Sequence, residues 1–302
     1  MKQKIKIVEV GARDGLQNES KILSTDVKFE FIKKLIKCGL KDIEVTSFVK
    51  PESIPQMSDS VDLYQRILSL NQSNLNFPCL VPNLKGLEIA KNCGVKSIAL
   101  FSATSDSFTK KNINASVDES FEKMEEVSRL AKSYGMIRRG YVSTAFGCPY
   151  EGEISVEKLV SVVQRFFKLG VEEVSIGDTT GVASPRQVKE ALSVLLKEFE
   201  AKKIAMHFHD TRGMAISNIL VSLEHGITIF DSSAGGLGGC PYAQGATGNV
   251  ATEDLWYLCH IMGLETGIEL SELVSASSYI LNQIGKVTPS KFLSTYLKTG
   301  KI

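Results

Sequence analysis

The sequence lacks any long apolar run: no hydrophobic stretch approaches the roughly 20 residues needed to cross a bilayer. It also lacks an excess of either charge, because 35 Lys and Arg residues and 34 Asp and Glu residues leave a net charge of +1. This balance gives no reason to expect nucleic acid or a membrane surface as a partner. The first ten residues, MKQKIKIVEV, have no apolar signal-peptide core, so we expect a cytoplasmic protein.

Paired cysteines are absent as well. The six cysteines are scattered, and no two of them form a C-x-x-C motif. In a long chain without a secretion signal, this spacing is typical of free thiols in a reducing compartment. It also argues against a structural zinc site, which usually draws on closely spaced cysteines.

What the sequence does contain is a repeated alternation of short β-branched runs with amphipathic segments. Eight strands are predicted at 4–10, 41–46, 76–81, 96–101, 137–143, 172–176, 203–209 and 227–232. Strands alternating with helices over about 230 residues predict an α/β fold, a (β/α)8 TIM barrel with a C-terminal helical extension. The alternative is a doubly wound open sheet, which usually has a glycine-rich turn after its first strand. Here that turn is the charged GARDG at 11–15, which is not a G-x-G-x-x-G motif.

We expect the whole chain, 1–302, to form a single domain. The barrel is predicted over about 4–233, followed by a lid loop and C-terminal helices over about 234–302. The segment 234–248 is rich in glycine and lies between an apolar strand and an amphipathic helix. Such a segment favours an ordered loop above a site rather than a linker.

Polar and ionisable residues follow the predicted strands, where TIM barrels carry their active sites. His207 and His209 lie two residues apart, so on a strand they point to the same face. The pair is compatible with one divalent metal and also with two core histidines. Asp14 and Asn249 can each add an oxygen ligand. A set of two nitrogens and two oxygens with open water positions suits Mg²⁺ or Mn²⁺.

Three further residues have two interpretations each. Arg13 forms either a surface ion pair with Asp14 or a fixed cation that stabilises an oxyanion beside the metal. Glu44 lies in an otherwise apolar strand and must be paired or functional, with Arg13 as a candidate partner. Cys240 follows a run of mostly glycine, and a thiol on such a hinged loop can act as a nucleophile or as a proton donor.

Seven stretches carry a resemblance to a known family. They are 8–19 (VEVGARDGLQNE), 44–51 (EVTSFVKP), 108–114 (FTKKNIN), 140–152 (GYVSTAFGCPYEG), 177–181 (GDTTG), 207–211 (HFHDT) and 234–254 (AGGLGGCPYAQGATGNVATED). Together they resemble the 3-hydroxy-3-methylglutaryl-CoA lyases, a branch of the metal-dependent TIM-barrel lyases. The Arg-Asp-Gly and His-x-His motifs are shared across that superfamily, whereas the GGLGGCPYAQGATGN loop is far more specific to the lyase branch.

The resemblance implies cleavage of 3-hydroxy-3-methylglutaryl-CoA to acetyl-CoA and acetoacetate. It implies that Asp14, His207, His209 and Asn249 ligate a divalent cation, Mg²⁺ or Mn²⁺, and that Asp14 and His207 belong to the catalytic set. Arg13 would stabilise the enolate oxygen of the thioester.

The remaining site residues also follow from the resemblance. Cys240 would protonate the enolate carbon. Positions that the family uses to support the site are matched by Glu44, Asp178 and Glu253. Contacts to substrate or coenzyme A are expected from Ser47, Lys111 and Ser175.

Alternatives within and outside the superfamily remain. One is a lyase for a larger 3-hydroxy-3-alkylglutaryl-CoA, and another is a Claisen-condensing synthase of the same superfamily. Such synthases usually carry a regulatory domain beyond the barrel, and we expect none here. A non-catalytic barrel is the third, and the joint presence of Arg13, Asp14, Asn249, Cys240 and the two histidines argues against it. The family-level expectation for assembly is a homodimer.

Overall fold

A parallel sheet curled into a barrel forms the centre of the molecule. The computed structural model describes residues 3–239 and 248–302. The barrel strands are β1 (Lys6–Glu9), β2 (Asp42–Ile43), β3 (Thr46–Ser47), β4 (Cys79–Leu80), β5 (Ser97–Ala103), β6 (Ile137–Ser143), β9 (Glu173–Asp178), β10 (Ile204–Phe208) and β11 (Ile229–Ser232). A separate antiparallel hairpin is formed by β7 (Gly147–Cys148) and β8 (Gly152–Glu153).

The ring of strands closes at residues 42–47, which we call the seam. The sheet order is β2-β1-β11-β10-β9-β6-β5-β4-β3, so the two ends of the sheet are β2 and β3. These two strands belong to one stretch of chain: β2 pairs with β1, and β3 pairs with β4. The seam therefore bridges both edges, and the predicted (β/α)8 barrel is confirmed.

Helices surround the strands in chain order. They are α1 (Thr25–Lys37), α2 (Ser60–Leu68), α3 (Leu84–Asn92), α4 (Asp106–Ile113), α5 (Val117–Ser133), α6 (Val156–Lys168), α7 (Pro185–Glu198), α8 (Ala215–Glu224), α9 (Thr252–Ile261), α10 (Leu270–Ile284) and α11 (Lys291–Thr299). Within 3–239 and 248–302, no helix is long and apolar enough to span a membrane.

Local sequence signals explain where these helices begin. The Ser116 hydroxyl accepts the Glu119 N–H at 3.1 Å, while the Glu119 carboxylate accepts the Ser116 N–H at 2.7 Å. This reciprocal capping box satisfies two backbone donors at the start of α5. Pro185 is the first residue of α7, where its missing N–H costs nothing.

Side chains alternate between the two faces of the barrel wall. Val8, Val10, Ala205 and Ile229 form a small apolar cluster of their own, and strand alternation assigns them to the inner face. The large core lies between the strands and the helices and includes the fully buried Phe166. On the same alternation, the residue that follows Val8, Glu9, points outward.

Two features differ from the sequence prediction. The strand predicted at 41–46 is split at 44 and 45, because the chain there changes partner: the Glu44 N–H donates to the Glu9 carbonyl, and the Val45 N–H donates to the Pro78 carbonyl. The predicted order also had no helix at α4 or α11. Both are short, and the polar sequence of α4 has little apolar periodicity.

Candidate active site

Three potential ligand residues converge at the carboxyl ends of the strands. Asp14 lies in a π-helical turn, Gly11–Gly15, directly after β1. His207 belongs to β10, and His209 follows it. One ligand atom from each of Asp14, His207 and His209 lies within 4.8 Å of the others. The predicted convergence of Asp14 with the two histidines is therefore present.

Asn249 is brought to the same place by a β-bridge to His209. Its amide nitrogen donates to Asp14 Oδ2 at 2.9 Å and to the Leu237 carbonyl at 3.1 Å. The amide oxygen is buried and has no hydrogen-bond partner among the described residues. An unpartnered oxygen beside a carboxylate and two imidazoles is the arrangement expected where a cation binds.

His209 also has the features expected of a metal ligand. Its Nδ1 is buried without a partner in the described part of the chain. Burial and the neighbouring His207 lower the pKa of His209 to about 4, so the imidazole is neutral near pH 7. A neutral imidazole is the form that ligates metals. The chemistry of this donor set fits a divalent cation.

Arg13 is buried beside this cluster. Its Nη1 donates to Asp14 Oδ1 at 2.8 Å, and its Nη2 donates to Glu44 Oε2 at 2.7 Å. The side chain is only 7% exposed, so the pair with Asp14 is not a surface ion pair. The expected Arg13–Glu44 contact is confirmed. Although burial alone would raise the pKa of Asp14, Arg13 and the two histidines lower it, so Asp14 is ionised at neutral pH.

Sequence reasoning missed three side chains that extend the site into the barrel interior. The Tyr141 hydroxyl donates to Glu44 Oε2 at 3.1 Å, and Arg139 Nη1 donates to the same hydroxyl at 2.8 Å. The third, Asp231, accepts a hydrogen bond from the hydroxyl of the predicted residue Ser175 at 2.7 Å. A charged residue in an apolar strand was the signal for Glu44, and the same signal was available for Arg139 and Asp231.

The other predicted site residues lie in different surroundings. Asp178, the last residue of β9, accepts the backbone N–H groups of Val182 and Ala183 at 3.0 Å each. Glu253 is fully buried and accepts the Gly235 N–H. Neither carboxylate has a described ion pair with Arg13.

Three residues were predicted to contact substrate or coenzyme A. Ser47 ends β3 with a buried hydroxyl that has no partner among the described residues. Ser175 is fully buried and donates to Asp231. Lys111 is exposed on α4, with its Nζ 3.7 Å from the centre of the Tyr150 ring. Cys240 lies outside the described residues.

A closed parallel barrel with a His, Asp and Asn cluster at the carboxyl ends of its strands defines a TIM-barrel protein with a candidate metal centre. Comparison with known proteins narrows that class. Residues 4–280 match the HMGL-like family model, and the chain belongs to the HMGL-like family.

Individual relatives agree with this assignment. The chain is 47% identical to human mitochondrial hydroxymethylglutaryl-CoA lyase over 289 residues, which are 96% of this chain and 88% of the relative. It is similar to the crystal structure of hydroxymethylglutaryl-CoA lyase from Pseudomonas aeruginosa, with 40% identity, a TM-score of 0.95 and 99% of both chains covered. A third relative is an HMG-CoA lyase from Acinetobacter baumannii in complex with coenzyme A and 3-methylmalate. It has 35% identity and a TM-score of 0.92, with 99% of this chain and 95% of that chain covered. The resemblance drawn from the motifs is confirmed.

Proposed function

We propose that this chain is a divalent-metal-dependent carbon–carbon lyase that cleaves 3-hydroxy-3-methylglutaryl-CoA to acetyl-CoA and acetoacetate. The observation that carries the proposal is the convergence of Asp14, His207 and His209 beside the buried Arg13. Relatives at 40–47% identity that are lyases give further support, and they do not favour the condensing-synthase alternative. The Acinetobacter relative's complex with coenzyme A supports a coenzyme A thioester as substrate.

The cation would be held by Asp14, His207, His209 and Asn249. When bound, Mg²⁺ or Mn²⁺ supplies a positive charge that lowers the pKa of the substrate's tertiary hydroxyl. The protein's own contribution is to present a neutral His209 imidazole and an ionised Asp14. The proposal names both Mg²⁺ and Mn²⁺, and the experiment below compares the rates that they support.

Cleavage leaves a negative charge that the protein must stabilise. A base at the site accepts the proton of the tertiary hydroxyl, and the hydroxyl-bearing carbon becomes the ketone carbonyl of acetoacetate. The adjacent carbon–carbon bond breaks, and its electron pair becomes the enolate of acetyl-CoA. Arg13 is the fixed cation for the enolate oxygen, because Glu44 and Asp14 hold its guanidinium in one orientation. A preorganised donor of this kind stabilises charge that develops only in the transition state.

Protonation of the enolate carbon completes acetyl-CoA, and we assign this step to Cys240 on the basis of the family resemblance. Glu44 positions Arg13, while Asp178 and Glu253 hold the backbone near the site through their N–H contacts. Ser47 and Lys111 remain proposed contacts to substrate or coenzyme A. Ser175 is assigned to the same set, and its contact with Asp231 supports an additional role inside the barrel.

The proposal is tested by measuring acetoacetate released from 3-hydroxy-3-methylglutaryl-CoA. We expect release with Mg²⁺ or Mn²⁺ and loss of release with EDTA. The rates with the two ions are compared at equal concentration. A rate independent of metal would contradict the site. A panel of 3-hydroxy-3-alkylglutaryl-CoA thioesters, followed by identification of the products, decides between the methyl substrate and its larger analogues.

We also propose a cytoplasmic homodimer. The human relative is named mitochondrial, whereas a lyase of Rattus norvegicus that is 47% identical is named cytoplasmic. Sedimentation of the purified protein at several concentrations tests the dimer, and a monomer at all concentrations would contradict it.

A further inference from the structure

Asp231 is a buried carboxylate with four contacts, and one of them is a metal-ligand candidate. It lies in β11 with 1% of its surface exposed. Arg139 donates to it through Nη2 at 2.6 Å and Nη1 at 3.1 Å, and the Ser175 hydroxyl donates at 2.7 Å. His207 Nδ1 lies 3.3 Å from Asp231 Oδ2. Asp231 has no role in the proposed mechanism described above.

The contact with His207 restricts the imidazole to one tautomer. An ionised carboxylate only accepts hydrogen bonds, so the proton of a neutral His207 resides on Nδ1. The lone pair is then left on Nε2, the nitrogen available to a cation. The pairing of β10 with β11 places His207 opposite Asp231, so the backbone register fixes this contact.

The same carboxylate is connected to Arg13 through the barrel interior. Arg139 binds Asp231 and the Tyr141 hydroxyl, the hydroxyl donates to Glu44, and Glu44 accepts from Arg13. The contacts therefore run without interruption from a metal-ligand candidate to the proposed enolate-stabilising cation. All the side chains in this path are buried.

We propose that Asp231 is a positioning residue that holds His207 with Nδ1 protonated and Nε2 free for the cation. Arg139 and Ser175 hold Asp231 in turn. Carboxylates that bind the second nitrogen of a metal-ligating histidine commonly orient the ring and strengthen its ligation. This inference rests on the proposed metal-dependent function for the identity of the ligands.

The first test is Mn²⁺ affinity, measured by electron paramagnetic resonance on the full chain. We expect Asp231→Asn to weaken Mn²⁺ binding by about 10- to 100-fold. The control is Glu173→Gln, because Glu173 accepts from Arg139 Nε at 2.6 Å but its other described partner is Lys6. We expect this control to bind Mn²⁺ within about threefold of the unmodified protein, and circular dichroism checks that both variants are folded.

The outcomes separate this inference from the proposed function. Equal Mn²⁺ affinity of Asp231→Asn and the unmodified protein would overturn the inference alone. Equal weakening by both variants would also overturn it, because the effect would then belong to any disturbance of Arg139. An unmodified protein that binds no Mn²⁺ would overturn the proposed function and the inference with it.

A second measurement needs no variant of Asp231 and so does not depend on its folding. Nitrogen-15 spectra of the metal-free protein report the tautomer of each histidine. Only four histidines are present, so His207→Gln identifies the signal of interest. We expect His207 to carry its proton on Nδ1, and a proton on Nε2 would overturn the proposal.

Discussion

Buried carboxylates lie on both sides of the barrel wall, and they interact with different kinds of groups on the two sides. Inside the barrel, Asp231 accepts hydrogen bonds from both terminal nitrogens of Arg139. On the outer side, Glu9 and Glu253 are completely buried near the start of α9, and we call them the outer acid pair. No cation contacts the outer acid pair among the described residues. It accepts hydrogen bonds from neutral groups only.

The neutral donors of the outer acid pair come from the chain around residues 234 and 252 and from the Gly11 N–H, which Glu9 accepts at 2.8 Å. Glu9 accepts the Ala234 N–H at 2.9 Å and the Thr252 hydroxyl at 2.7 Å. Glu253 accepts the Gly235 N–H, and Gly235 has a positive φ of 73° that suits glycine. The outer acid pair therefore fixes the beginning of the segment that carries Cys240.

The pKa of Asp231 and the pKa values of the outer acid pair shift in opposite directions. Burial would raise the pKa of Asp231, but Arg139 lowers it below its usual range. With no guanidinium nearby, burial raises the pKa of Glu9 to about 7 and that of Glu253 to about 8. The comparison teaches that a buried guanidinium keeps the interior acid ionised, whereas hydrogen bonds alone leave the outer acid pair to titrate near neutral pH.

The largest effect is expected where the interior pair is broken. Arg139→Met leaves Asp231 buried without its cation, which costs about 3–5 kcal/mol of unfolding free energy. Urea unfolding measures this loss. The control is Arg66→Met, because Arg66 binds Asp26 and Asp62 at the surface and should change stability far less. Similar losses for both variants would contradict the distinction between buried and exposed ion pairs.

The next effect concerns rate rather than stability. Arg13→Met removes the proposed enolate-stabilising cation, so the barrier should rise by about 3 kcal/mol or more, and kcat should fall by about 10²- to 10³-fold. Arg13→Lys keeps the charge but loses the fork that binds Asp14 and Glu44, so it should recover part of the rate. Steady-state kinetics measure both variants. A near-normal kcat for Arg13→Met would refute the assignment.

The outer acid pair predicts a pH dependence of stability. Because the pKa of Glu253 is raised from 4.5 to about 8, the folded protein keeps a proton that the unfolded chain releases. Its contribution is therefore complete below about pH 4.5 and is lost as the pH rises through 8. In Glu253→Gln, the fall in unfolding free energy between pH 5 and pH 8 should shrink by roughly 3 kcal/mol. An unchanged slope in urea titrations at several pH values would contradict this.

The smallest effect is expected from one donor to that pair. Thr252→Val removes the hydroxyl that donates to Glu9, which should cost about 1 kcal/mol. Since the hydroxyl stabilises the ionised carboxylate most, the cost should be larger at pH 8 than at pH 5. Urea unfolding at the two pH values measures the difference. An equal cost at the two pH values would show that Thr252 acts by packing alone.

Much of the site was predictable because its residues follow strands or repeat at strand spacing. The interval between His207 and His209 predicted a shared face, and the isolated charge of Glu44 predicted a contact with Arg13. Asp231 and Arg139 were missed, although each is a charged residue inside a predicted strand. A charge inside a strand pattern has no visible partner in the sequence, since that partner comes from a distant strand.

The fold was predictable in its order and less so in its pairing. Hydrophobic periodicity located β6 with its observed bounds, 137–143. Periodicity reports which face of a segment is buried, but not which strand lies beside it. The division of the seam at Glu44 and Val45 therefore could not be predicted, because it arises when one segment satisfies two neighbours.

The seam has a consequence for folding. Glu44, the partner of Arg13, lies where the chain leaves β1 and joins β4, so the last hydrogen bonds that complete the ring also set the orientation of the guanidinium. A half-assembled chain can form most of its secondary structure and still lack this alignment. During refolding, enzymatic activity should therefore return only when the barrel closes at the seam. The rate at which activity returns then measures the rate of barrel closure.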